Sequence, residues 1–194
     1  KTYESSEGYS VDYPSTWYVR ENVSLSETSR GMVFNQTENQ TIQSSNMVSV
    51  AVDASCPDLT HIQPTSEPTP VGTYTINGRI FKTANGSEGA AGSARLFTYY
   101  VMELGEGRCL VITMNQFHSN PENYDEPQRT QQRNEIQKTW NTLQTIVNSV
   151  VVGGEDVLTM SDEKIYHEGT AELIFRQPAA WDREVFEKAE GDWL

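Results

Sequence analysis

Between Arg108 and Phe117 the chain carries two interleaved apolar sets. Leu110, Ile112 and Met114 fall on one face of a period-2 pattern, and Cys109, Val111 and Phe117 fall on the other. A strand with two apolar faces belongs in the middle of a sheet that is covered on both sides. The preceding segment, Ala94 to Leu104, has matching strand character. Gly105-Glu106-Gly107 lies between them and supplies residues able to take positive φ, so the two segments read as a strong antiparallel pair.

Such a ribbon needs a cover, and the best helix in the chain follows it. From Arg129 to Val150, Ile136, Trp140, Leu143, Val147 and Val150 recur at spacings of three and four and make one apolar stripe. Arg133, Lys138 and Asn141 fall on the wet side. Asp125 is a candidate cap, and Gly153-Gly154 is the expected stop.

The opening supplies more strands. Tyr9, Val11 and Tyr13 alternate with Ser10 and Asp12, a strand with one buried face that Pro14 ends because proline gives no N–H to a ladder. Trp17 follows the turn as an apolar anchor. Further strands are read at Tyr18 to Val23, Gly31 to Asn35 and Met47 to Asp53, the last with Val48, Val50 and Val52 on one face. Pro57, Pro64, Pro68 and Pro70 exclude a regular helix or central strand between Cys56 and Val71. Asn77-Gly78 between Thr73 to Ile76 and Arg79 to Thr83 is a type I′ hairpin signal. Asn85 to Gly92, rich in Gly and Ala, reads as a loop.

Beyond the helix the composition turns acidic. The expected organisation is one α+β domain over residues 1–150, an acidic linker over 151–164, and an appendage over 165–194. The appendage reads as a strand at Ala171 to Phe175 and a helix from Pro178 to Ala189. In a second reading, Pro178-Ala179-Ala180-Trp181 repeats Pro14-Ser15-Thr16-Trp17 and begins a truncated second copy.

Of the 194 residues, 14 are Lys or Arg and 27 are Asp or Glu, a formal net charge of −13. That balance argues against nucleic acid and against anionic membrane surfaces, and it favours solubility. No apolar run approaches the roughly 20 residues that span a bilayer. Cys56 and Cys109 stand in no metal-ligand spacing. They read either as one disulfide or as two separate buried thiols. The Asn- and Thr-rich, Lys-poor composition has an extracytoplasmic look and favours the bridge. Sequons begin at Asn22, Asn35, Asn39 and Asn85, about what chance gives in such a composition.

Catalytic motifs do not emerge. His61, His118 and His167 sit in no ligand spacing, no Gly-x-Ser-x-Gly elbow occurs, and Gly86 to Gly92 lacks a following Gly-Lys-Ser/Thr. The loop acids Asp53, Asp58, Asp125 and Glu126 read as solvated rather than as a calcium site. Trp17 and Trp140 read as core. The expectation is no enzyme, no cofactor and no metal.

Tyr9 to Trp17, Ile80-Phe81-Lys82 ahead of Gly89 to Gly92, Phe97 to Tyr100, Cys109 to Thr113, Asn120-Pro121 with Tyr124, and a terminal helix ending at Ile146 to Val150 occur in the order seen in PsbP-like domains. The chain resembles that superfamily from Tyr3 to about Val150. The resemblance implies a twisted, mainly antiparallel sheet with helices packed on its faces, an α/β/α sandwich with a binding or assembly role. Relatives often carry a helix after the strand matching Met47 to Asp53. Prolines break that segment here, so Pro178 to Ala189 becomes the candidate cover for the second face. The functional expectation is an extracytoplasmic, non-catalytic binding module that meets a protein partner or itself. The alternative is a structural subunit of a surface assembly, in which the tail from Ile165 to Phe175 adds a strand to a neighbour. The candidate interface residues are Leu173, Ile174, Phe175, Trp181 and Trp193.

Overall fold

The computed structural model describes residues 1–25, 29–37, 46–62, 69–90, 92–153, 160–168 and 171–178. It divides into two units, Lys1–Val152 and Gly153–Leu194. The first unit is α+β, with β1 (Thr2–Glu4), β2 (Tyr9–Asp12), β3 (Tyr18–Ser24), β4 (Arg30–Asn35), β5 (Met47–Asp53), β6 (Val71–Ile76), β7 (Arg79–Ala90), β8 (Ser93–Gly105), β9 (Arg108–Ser119), α1 (Gln128–Asn148) and β10 (Val151–Val152). Seven strands form one antiparallel sheet in the order β3-β4-β5-β9-β8-β7-β6, and β1-β2-β10 form a small second sheet. Strand β9 is thus the fourth of seven, where its two apolar faces require it to be.

Leu110, Ile112 and Met114 enter a core with Val48, Val50, Phe34 and Phe81. Helix α1 seats Leu143, Ile146 and Val147 on that core, with Trp140 half-buried at its margin. Tyr9, Val11 and Trp17 join it from the small sheet and the turn after it. Helix and small sheet therefore share one face of the large sheet. Gln116 fastens the helix from below, its Nε2 donating to Ile136 O at 2.6 Å.

Among the described residues α1 is the single α-helix; on the other face of the sheet a short apolar cluster of Leu59, Ala84, Val101, Cys109 and Val111 closes one end, and Val33, Met47, Ala51 and Asn115 are buried as well. Leu59 stands on a three-residue 3-10 turn in the proline-bounded segment. The proposed cover from Pro178 to Ala189 lies, beyond Pro178 itself, outside the described residues.

Several boundaries move. Asn85 to Ala90 is strand and not loop, continuing β7 against Thr98 to Ser93 of β8. Its glycine content reflects close packing, since a Cβ on Gly86 would lie 2.2 Å from the Phe97 ring. The turn at Gly105, Glu106 and Gly107 takes φ of 92°, 54° and 77°, as the spacing required. Helix α1 stops at Asn148, before the glycines. Its end is closed by side chains instead: Asn77 Nδ2 lies 3.1 Å from Asn148 O and 2.9 Å from Val150 O, and Ser149 Oγ accepts from Asp12 N at 2.9 Å. Pro127 precedes the helix without a side-chain cap, and Asp125 contributes its carbonyl to Arg129 N at 3.0 Å.

The second unit holds an antiparallel hairpin, β11 (Met160–Glu168) and β12 (Ala171–Pro178). The expected linker over 151–164 is shortened at both ends. Val151 and Val152 pair with Ser10 and Tyr9, and Met160 to Lys164 belong to β11. Ile165 opposes Ile174, and Lys164 opposes Phe175, so Ile165 to Phe175 is folded on itself and is not one free strand. Leu173, Ile174 and Phe175 stand on β12; Trp181 and Trp193 lie outside the described residues.

Candidate functional site

Cys56 and Cys109 form a disulfide, with Cα atoms 5.1 Å apart. Cys109 lies on the central strand and Cys56 on the segment after β5. The bridge therefore pins that segment, with Ser55 and Pro57, over one end of the sheet face opposite α1. By the chain-entropy argument, a loop of 53 residues closed in this way contributes about 4 kcal/mol.

Next to this tether the face opposite α1 forms a cavity of 430 Å³. Its floor comes from the three middle strands: Met47, Ser49, Ala51 and Asp53 of β5, Val111, Thr113 and Asn115 of β9, and Tyr99 of β8. Ser55 and Pro57 form one wall, Leu25 and Ser29 another, and Arg95 stands at the far end. The register places these residues side by side. Thr113 opposes Ser49 and Tyr99, and Asn115 opposes Met47.

The far end is a built polar network. Arg95 Nε donates to Asn115 Oδ1, and its Nη1 lies 3.2 Å from Glu88 Oε2. The guanidinium sits 5.0 Å from the centroid of the Phe97 ring, a cation–π contact. Asn35 is fully buried across Met47, and with its amide oxygen turned toward the guanidinium it accepts from Arg20 Nε at 3.2 Å and Nη2 at 3.0 Å. The near end differs. Asp53 Oδ1 is buried in the cavity wall with no hydrogen-bond partner.

The acids singled out by sequence do not converge. Asp58 caps its own turn, Oδ1 accepting from Thr60 N at 2.9 Å and Oγ1 at 2.6 Å. Those bonds hold its carboxyl below the usual carboxylate range. His61 stands in the same exposed turn, 3.5 Å from Asp58, and His118 Nδ1 lies 2.9 Å from Ser119 O. Of the sequons, Asn35 is fully buried. Among the described residues no helix is long and apolar enough to cross a membrane.

The sequence reading passed over the cavity. Its residues are spread over three strands and two loops and form no local motif. One signal was available: Ser49, Thr113 and Asn115 are polar positions within the largely apolar strands β5 and β9. Such groups need partners inside the fold or in a ligand.

No family model matches the chain, and no curated protein matches it. A solved structure from Bacteroides thetaiotaomicron VPI-5482 is similar over 80% of this chain and 49% of that one, at 9% identity and a TM-score of 0.43. The chain spans about half the length of that protein.

Proposed function

We propose that this chain is a non-catalytic binding module of an extracytoplasmic compartment, built on a PsbP-like sheet, and that the tethered cavity is its binding surface. One observation carries the reading. The most deeply embedded strands of the sheet line a cavity with hydroxyl and amide groups on the face opposite α1. A concave, mixed-polarity site on rigid strands is suited to hold a ligand. The disulfide supports the oxidising compartment. Tyr13 and Trp17 of the Tyr13-Pro14-Ser15-Thr16-Trp17 opening, which share one core with the terminal helix, support the PsbP-like architecture.

Equilibrium dialysis of the protein against a small-molecule extract of its source, read by mass spectrometry, tests the binding role. A Ser49→Phe variant, which fills the floor, serves as the comparison at unchanged melting temperature. Enrichment by the parent and not by the variant is expected. Identical profiles refute the cavity as the site.

The hairpin β11–β12 favours a second reading, a subunit of a surface assembly. Two strands alone are marginally stable in water and gain from a third. Light scattering on the full chain and on residues 1–152 separates the readings, because assembly through the tail requires a larger mass for the full chain alone.

A further inference from the structure

We infer that the cavity takes a ligand bearing a protonated amine, seated on Asp53. This rests on the binding role proposed above and names the chemistry of the ligand.

Asp53 Oδ1 is an acceptor, buried and without a donor. Leaving such an oxygen dry is costly, and a ligand that restores the missing bond must supply an N–H or O–H. Charge selects between the two. Among the described residues no Lys, Arg or His stands within ion-pair distance of Asp53. Arg95, the other charged residue of the lining, already has Glu88 as counter-ion. Among the described residues the cavity thus keeps one uncompensated negative charge, and the chain as a whole, at −13, raises the local concentration of cations.

The surroundings fit an ammonium head on an apolar stem. Ser55 lies on the same lining as Asp53 and offers a hydroxyl oxygen to the remaining N–H donors. Ala51, Val111 and Met47 give an apolar floor for the stem, and Tyr99 flanks it. Asp53 opposes Cys109, whereas Arg95 reaches Asn115, six residues further along β9. At roughly 3.3 Å per residue the two ends lie roughly 20 Å apart. A cationic head is therefore drawn to the Asp53 end and kept from the Arg95 end.

The test is an amide-resolved NMR titration of the full chain at neutral pH with three probes that share one stem: hexylamine hydrochloride, 1-hexanol and sodium hexanoate. The amine is expected to shift the amides of Asp53, Val111 and Thr113 and to bind at least ten-fold more tightly than the alcohol, with no shifts from the carboxylate. Asp53→Asn should erase the preference for amine over alcohol, while Asp58→Asn, outside the cavity, should preserve it. The three-probe comparison on the parent protein needs no variant to fold. Alcohol or carboxylate binding in the cavity as tightly as amine overturns the amine assignment and leaves the binding role standing. Absence of any cavity shift with all three overturns both.

Discussion

Gly86 lies directly beneath Phe97. A Cβ built on it falls 2.2 Å from both Cε2 and Cζ of the ring. The ring cannot simply tilt away, because it also packs edge-on to Tyr99 at 6.0 Å and carries the Arg95 guanidinium. Gly86→Ala should therefore destabilise the first unit by about 1–3 kcal/mol, the usual cost of forcing extra volume into a packed site. Urea denaturation measures it. Adding Phe97→Leu should recover part of the loss; a neutral Gly86→Ala would contradict the packing.

Asn77 combines two tasks that one substitution can separate. It takes φ of 46° in the β6–β7 turn, and its amide reaches the carbonyls that end α1. Asn77→Gly keeps the turn conformation without strain and removes only the amide. A loss of about 1–2 kcal/mol is expected from the two carbonyls left without that donor. Faster hydrogen exchange in the last turn of α1 should accompany it.

Reduction of Cys56–Cys109 should lower the stability of the first unit by about 4 kcal/mol, by the loop-closure argument. Cys56→Ser/Cys109→Ser gives the same comparison without reductant, followed by guanidinium unfolding. Because the bridge pins Ser55 and Pro57 at the cavity rim, amine binding should weaken in the double variant even under conditions where it remains folded.

Tyr9 makes alkaline stability measurable. Burial pushes its phenol from 10.0 up to about 12, and its OH donates to Val50 O at 3.2 Å. A raised folded value means that the core holds the neutral phenol. This contribution is complete below the unfolded value of 10.0 and is lost as pH rises toward about 12. Tyr100 is raised in the same direction, again mainly by burial. Tyr9→Phe should cost about 1 kcal/mol near neutrality and make the alkaline slope shallower without abolishing it. An unchanged slope would show that Tyr9 does not carry that term.

How far the sequence disclosed the fold depends on whether the signal was local. Leu110 and Val111 placed β9 at the centre because each residue reports its own face. Leu143 and Val147 placed the helix for the same reason. Asn85 to Ala90 was illegible because its strand state comes from pairing with β8, against the local preference of glycine. The small sheet was half legible: Tyr9 and Val11 announced β2, but Thr2–Glu4 and Val151–Val152 are too short to show a period. The cavity was the least legible part. Asp53, Asn115 and Arg95 meet only through strand register, and nothing in the chain order links them.

The small sheet also decides how the first unit carries tension. Strands β1 and β10 both run antiparallel to β2, one on each side of it, so they are parallel to each other. Lys1 is bonded to Tyr13 at one end of that sheet, while Val152 opposes Tyr9 at the other. A pull applied at Lys1 and Val152 thus loads the β2 ladders lengthwise, in shear, so that their bonds must yield together and not one after another. The seven-stranded sheet that bears the cavity lies off that line of force and would keep its shape until the clasp gives way.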